Sequence, residues 1–248
     1  MPRILFICFF LLIAAEAQAQ QPDTIRRKDA GGWEFVQVRQ LNRVVLEGNR
    51  HNNINEGVWT EYWDNGYPHR LATYRNGLRD GIFLEINRNG HTELLENYHN
   101  AVLEGPRRVY SNGVTSSEEA YYSEGKRNGY YNVHYPDGQT KEEGIYNADQ
   151  LDGKATYYFK NGQRAAEYNY RMGNIEGEVS TFYETGKVEE YGMYQNNNKI
   201  GTWKEYYRDG QIKAQGQYLK GKKEGPWQQW DETGKELKKL NYKKGVAR

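Results

Sequence analysis

Residues Gly201 to Glu224 read GTWKEYYRDGQIKAQGQYLKGKKE, and the chain repeats this unit without interruption from residue 57 to residue 248. Glycine recurs at Gly57, Gly81, Gly105, Gly129, Gly153, Gly177, Gly201 and Gly225, and tyrosine at Tyr74, Tyr98, Tyr122, Tyr146, Tyr170, Tyr194, Tyr218 and Tyr242; both columns keep a spacing of 24. Self-similarity at a fixed period of this size marks a repeat architecture, in which each unit buries its apolar face only against its neighbours. Each unit holds two alternating runs with a tight turn between them, and helical periodicity is absent throughout. The fold class that follows is all-β. Gly57, Gly81, Gly201, Trp59, Trp203, Trp227, Tyr74 and Tyr218 are its structural markers.

The turn inside each unit is Asn65-Gly66, Asn89-Gly90, Asn112-Gly113, Asp137-Gly138, Asn161-Gly162 or Asp209-Gly210, with Thr185-Gly186 and Thr233-Gly234 as weaker versions. Such pairs suit a two-residue type I′ hairpin, whose central positions both need positive φ. A second turn joins successive units, as at Asn76-Gly77, and its glycine position elsewhere holds Ala101, Asp149 or Asn197, mostly residues that tolerate the left-handed region. The expected product is an elongated, twisted antiparallel β-meander of eight hairpin repeats, with sixteen strands spanning roughly 75 Å at about 4.8 Å each.

A two-residue loop at Asn65-Gly66 sets Asp64 against Tyr67, Trp63 against Pro68 and Trp59 against Ala72. Carried along the repeats, it sets Tyr131 against Gly144, Val179 against Gly192 and Trp203 against Gly216, while Ala155 against Tyr168 exchanges the small and large partners. A bulky ring over a small partner is what cross-strand pairing favours, so Gly216→Trp is expected to crowd Trp203. Phe83 opposite Glu96 and Trp227 opposite Leu240 fit less well. One unit carries its turn glycine a residue early, at Gly113, and calls for a longer turn or a bulge. Alternation places the Trp59, Trp63, Ala72 and Tyr74 columns on one packed face. The other face carries a lone ring column, in which Tyr62, Tyr110, Tyr158, Phe182, Tyr206 and Trp230 are the candidate binding residues. Equivalent positions lie two strands, about 9.6 Å, apart, so residues of the intervening strands must interleave the Tyr74 column.

The flanking sequence bears on location. Residues 1–19 read as a signal peptide, with Arg3 as the positive flank, an apolar run from Ile4 to Ala15 and a small-residue cleavage site at Ala17-Gln18-Ala19. The run falls short of the roughly 20 residues of a spanning helix, and no second candidate follows. The expectation is an exported protein, periplasmic, outer-membrane-associated or secreted, with no transmembrane segment after signal cleavage. Residues 20–32 read as a flexible lead-in and 33–56 as a degenerate capping repeat, with Trp33 in the glycine slot and Arg50 in the tyrosine slot. The single cysteine, Cys8, lies inside the apolar run, so the processed chain has no disulfide and no thiolate metal site.

Composition narrows the function classes. A net charge of +1, from 34 Lys+Arg and 33 Asp+Glu, gives no field that would point to nucleic acid. With 37% hydrophobic residues but 22 Tyr and 6 Trp, the chain is suited to covering a thin sheet rather than filling a thick core. The five histidines fall in different units without ligand spacing, neighbouring carboxylates such as Glu142-Glu143 point to opposite faces, and the glycines have turn spacing rather than a phosphate-loop pattern. No catalytic residue, metal site or cofactor is assigned.

The pattern of Gly201-Thr202-Trp203, Tyr206-Tyr207, Asp209-Gly210, Tyr218 and Gly221 resembles the bacterial MORN-repeat variant, and the resemblance covers Gly57 to Arg248. Proteins built from this variant are often labelled YwqK-type antitoxins of toxin–antitoxin systems. The chain departs from the eukaryotic motif, which has a second glycine where Trp59, Trp203 or Trp227 stands here. The resemblance implies a sheet of β-hairpins used for protein contact or membrane association, without shared chemistry. The expected function is a non-enzymatic protein-interaction scaffold in the cell envelope or outside the cell, of immunity or antitoxin type, with another protein as partner. The alternative is glycan binding through aligned aromatic residues.

Overall fold

The computed structural model describes residues 22–111, 113 and 115–248. The signal-peptide reading, and Asn112 of the Asn112-Gly113 turn, lie outside the described residues. The chain forms one open antiparallel sheet of 23 strand segments, with no helix among the described residues. Seven strands build the N-terminal half of interest: β1 (Asp23–Lys28), β2 (Trp33–Gln40), β3 (Arg43–His51), β4 (Ile54–Tyr62), β5 (Pro68–Arg75), β6 (Leu78–Ile86) and β7 (Thr92–His99). Within the expected flexible lead-in, Asp23–Lys28 form a strand: all six residues of β1 pair with β2, from Asp23 opposite Arg39 to Lys28 opposite Glu34. Residues 33–56 supply the β2–β3 hairpin and the start of β4.

The turn inside each unit differs from the sequence expectation, whereas the left-handed residues expected between units are found at Gly77, Ala101, Asp149 and Asn197. Inside a unit, Gly66 donates to the Trp63 carbonyl at 3.0 Å and Trp63 donates to the Tyr67 carbonyl at 2.8 Å. Gly66 has φ 87, while Asn65 is not in the positive-φ set, so the loop is a three-residue type I turn closed by a glycine bulge. Trp63 thus faces Tyr67 and Tyr62 faces Pro68, correcting the expected Asp64–Tyr67 and Trp63–Pro68 pairs; His69 then bulges out and restores Glu61 opposite Arg70 and Trp59 opposite Ala72. In several units the side chain before the glycine supports this turn. Asn65 Oδ1 accepts the Tyr67 N–H at 3.1 Å, and Asp137, Asn161 and Asp209 do the same for Gln139, Gln163 and Gln211. The same loop forms at Thr185-Gly186, where Gly186 donates to the Tyr183 carbonyl at 2.8 Å and Tyr183 to the Lys187 carbonyl at 2.9 Å, so the Asx bond supports this turn without being required for it. The type I′ loops lie between units instead, where both Asn76 (φ 50) and Gly77 (φ 78), or Asn196 (φ 48) and Asn197 (φ 62), are left-handed. The early-glycine unit has no longer loop: Ser111 faces Thr115, Tyr110 faces Ser116, and Ser117 bulges as His69 does.

The period-24 glycines serve the backbone. Gly57, Gly81 and Gly201 have φ 70, 114 and 64, and each sits where the pairing between units shifts register. Only glycine enters this region without steric cost. The residue just before each of these bulges is acidic in most units, and its carboxylate reaches the next turn. Glu56 accepts the Asn76 N–H at 2.7 Å, Glu104 that of Glu124 at 2.8 Å, Glu176 that of Asn196 at 2.9 Å and Glu224 that of Lys244 at 2.7 Å.

A different set of glycines serves packing. The expected Cα pairs Tyr131–Gly144, Ala155–Tyr168, Val179–Gly192 and Trp203–Gly216 are all formed. The ring, however, lies over the glycine of the preceding strand rather than the following one. A Cβ on Gly216 would overlap Trp227, not Trp203; on Gly192 it would overlap Trp203, and on Gly48, Trp59. The operative pairs are therefore eleven residues apart: Gly48/Trp59, Ala72/Phe83, Glu96/Arg107, Ala120/Tyr131, Gly192/Trp203 and Gly216/Trp227. This offset removes the two misfits, since Phe83 rests on Ala72 and Trp227 on Gly216. A hydrogen bond sets the direction of lean: the indole N–H of Trp59, Trp203 and Trp227 donates to Asn49, Met193 and Gln217 at 2.9, 3.3 and 3.1 Å, all on the preceding strand.

Rings from successive strands then interlock edge to face. Tyr194, Trp203, Tyr218, Trp227 and Tyr242 follow one another with centroid separations of 5.4, 5.8, 5.3 and 6.3 Å, the expected interleaving of the tyrosine column. Trp203 and Trp227 are each 1% exposed. Gly216→Ala should destabilise the protein by about 1 to 3 kcal/mol through overpacking against Trp227. Adding Trp227→Val should recover part of that loss, whereas adding Trp203→Val should not. A denaturant double-mutant cycle measures both couplings, and coupling to Trp203 alone would refute the eleven-residue pairing.

Candidate binding groove

On the aromatic face three rows run across β3 to β7, perpendicular to the strands. The floor is Gly48, Trp59, Ala72, Phe83 and Glu96. One rim, toward the inner turns, is Leu46, Glu61, Arg70, Glu85 and Leu94, each opposite the next. The other rim, toward the type I′ turns, carries Arg50 opposite Asn55 and Tyr74 opposite Arg79. Together they enclose an open groove of ≈ 590 Å³.

The C-terminal units fill the same space themselves. Lys199 lies 3.8 Å from the Trp203 ring centre and reaches the opposite rim, where its Nζ is 3.0 Å from Glu190; Lys223 lies 3.7 Å from the Trp227 centre with its Nζ 3.9 Å from Glu205. A lysine thus bridges the rims above each indole. In the N-terminal half, Arg70 stands where Glu190 stands in its unit, and it takes both rim carboxylates, Glu61 at 3.6 Å and Glu85 at 2.9 Å. Glu96 is held by Arg107 at 3.0 Å and by the Tyr98 hydroxyl at 2.7 Å. Arg79 therefore stays on its rim, 4.6 Å from the Phe83 ring centre, and Arg50, in the tyrosine slot, stacks 5.3 Å from that of Trp59. The ion pairs among the described residues include neither arginine.

The six candidate binding residues read from the sequence lie away from this groove. Ring pairs among the described residues join no two of Tyr62, Tyr110, Tyr158, Phe182, Tyr206 and Trp230. Two of them are tied to carboxylates: the Tyr62 hydroxyl donates to Glu47 at 2.6 Å and that of Tyr158 to Glu143 at 2.6 Å. Phe182 is 6% exposed, with the Arg164 guanidinium 4.8 Å from its ring centre, so it offers no open surface. Tyr62 does line an open hollow with Arg43 and Asp64, and Tyr206 lines another with Tyr191 and Lys187. The more exposed rings of that face are Tyr121 and Tyr130, which the column did not include.

Four stretches of the chain, residues 151–172, 175–196, 199–220 and 223–244, match the MORN repeat variant. These four units are similar to that repeat. Each match begins beside a type I′ loop, contains one whole hairpin such as Gly153 to Tyr170, and ends in the next loop. Members of the MORN repeat family are non-catalytic modules commonly used for protein binding. No curated protein matches the chain. No helix among the described residues is long and apolar enough to cross a membrane.

Tyrosine ionisation offers a direct probe of this surface. Burial, followed by the Glu47 hydrogen bond, pushes the Tyr62 hydroxyl up to about 12, and burial with Glu143 pushes Tyr158 up to about 12. Burial also raises Tyr131 and Tyr218 to about 12, with Glu142 and Glu205 as the next causes. In the unfolded chain these groups ionise near 10, so between about pH 10 and 12 the folded state holds more protons than the unfolded one. Their stabilising effect is complete below pH 10 and is lost as pH rises through 12. The urea midpoint should therefore fall across that window, and Tyr62→Phe with Tyr158→Phe should flatten the fall; an unchanged slope would contradict the assignment.

Proposed function

We propose that the protein is an exported, non-enzymatic scaffold that binds another protein along the aromatic face of its N-terminal half. The observation that carries this reading is the open groove above Trp59 and Phe83, at the place where the C-terminal units close the same space with Lys199 and Lys223. A surface that one half of the repeat covers and the other leaves open is suited to a partner. Protein binding by MORN repeats supports the class of partner, and the signal-peptide pattern in residues 1–19 supports the envelope or the exterior as the place. In that setting the antitoxin resemblance takes the form of an immunity protein that neutralises an effector outside the cytoplasm. Glycan stacking on the Tyr62 column gains no support from the separation of those rings.

A photo-crosslinking residue at Leu46 or Leu94, on the groove rim, should capture one defined protein in envelope fractions, and the same residue at Lys204 on the opposite face should not. Capture only from Lys204, or recovery of the uncleaved chain solely from the cytosol, would overturn the proposal.

A further inference from the structure

We infer that the groove binds an extended acidic segment of the partner, whose carboxylates occupy Arg50 and Arg79. This rests on the interaction reading above and specifies the chemistry of what is bound. The argument is charge complementarity at matched positions of the repeat. In the C-terminal units every cation above the ring ladder has a carboxylate across the groove, Glu190 for Lys199 and Glu205 for Lys223. The position equivalent to Glu190 is Arg70 in the N-terminal half, and the position equivalent to Glu205 is Glu61 or Glu85, both already held by Arg70. Among the described residues no carboxylate pairs with Arg79, which stacks on Phe83 and meets the Tyr74 and Tyr98 hydroxyls, or with Arg50, which donates to the neutral Asn55 side chain at 3.0 Å beside Trp59. A ligand carboxylate supplies in trans what the C-terminal units supply from their own chain. Guanidiniums stacked on aromatic rings are preorganised for this, because the planar fork is held in place, Arg79 by the Tyr74 and Tyr98 hydroxyls and Arg50 by Asn55, while further N–H donors remain for a carboxylate.

The spacing restricts the segment further. Arg50 lies on β3 and Arg79 on β6, three strands apart, or about 14 Å at roughly 4.8 Å per strand. An extended chain laid along the groove covers that distance in about four residues at roughly 3.4 Å each. Residues four apart on an extended strand point to the same side. The matching pattern is two acidic residues at positions i and i+4, with an apolar residue at i+2 above Trp59, Tyr74 and Phe83. The rim formed by Glu61, Arg70 and Glu85 then disfavours additional acids on the far side.

The test is fluorescence anisotropy with a labelled peptide, acetyl-Ser-Glu-Thr-Leu-Thr-Glu-Ser-amide, titrated with the purified protein. It should bind at least about tenfold more tightly than the same peptide with Gln for both Glu, as expected for hydrogen bonds to charged groups, and more tightly than a peptide with its acids at i and i+3. Raising the salt concentration should weaken it. Arg79→Gln should remove most of the advantage over the Gln peptide and Arg79→Lys should restore part of it. Because the comparisons between peptides use unaltered protein, they stand even where an arginine variant misfolds. Equal affinity for the Glu and Gln peptides, preference for a Lys peptide, or no measurable binding would each overturn the inference. If Leu46 or Leu94 still captures a partner by crosslinking while the acidic peptide fails, the interaction reading survives and this inference alone falls.

Discussion

A flat indole resting on the bare backbone of the preceding strand is the contact on which the sheet depends. A single-layer sheet has no second layer to bury its side chains, so apolar area must be removed from water within one face. Gly48, Gly192 and Gly216 allow this, because the absent Cβ lets Trp59, Trp203 and Trp227 lie directly on the strand. Edge-to-face tyrosines then seal the sides of each indole, each such pair contributing about 0.5 to 1.5 kcal/mol beyond the area it buries. The indole N–H of each ring reaches a carbonyl on that same preceding strand, so the burial leaves no polar atom of the ring unpaired.

The same geometric slot accepts other chemistry when both members change together. Glu96 with Arg107 occupies it as an ion pair and Ala120 with Tyr131 as a smaller version of the ring contact. The polar pair separates the N-terminal rings from the continuous run of rings from Tyr194 to Tyr242, and the two stretches have different fates. In the C-terminal stretch, lysines reach across to carboxylates and complete the burial of the rings. In the N-terminal stretch, Arg70 claims the carboxylates of the rim and the arginines on the other rim remain available. Function on this scaffold therefore arises from substitutions in a few columns, without any change in backbone course.

Much of this was legible in the residues because some columns have only one physical solution. A left-handed bulge repeated every 24 residues demands glycine, and Gly57 to Gly225 announce it. The hairpin Cα register away from the turns also followed from alternation, as Trp59 opposite Ala72 shows. The turn types did not, since Asn-Gly serves both a type I′ loop, as at Asn76-Gly77, and a type I turn with a glycine bulge, as at Asn65-Gly66. Alternation was equally blind to the choice between Trp203 resting on Gly192 or on Gly216, because both offsets lie on the same face. The groove escaped because its residues come from five strands, although Arg50 in a tyrosine slot and Arg70 in the Glu190 column were visible departures. β1 escaped because its exposed residues, DTIRRK, carry almost no alternation.

The eleven-residue pairing is the central claim, and the Glu96/Arg107 site tests it most directly. Glu96→Gly with Arg107→Trp converts the ion pair into the ring-on-glycine contact of the other units. Equilibrium unfolding in urea should show each single variant destabilised, since Glu96→Gly removes one of the two carboxylates that hold Arg107, Glu118 at 3.1 Å being the other, and Arg107→Trp buries Glu96 beneath an indole. The double variant should be at least as stable as the natural chain, as replacement of a buried ion pair by well-packed apolar groups often is. A double variant whose loss equals the sum of the two single losses would show that residues eleven apart do not share a site, and would contradict this account of the sheet.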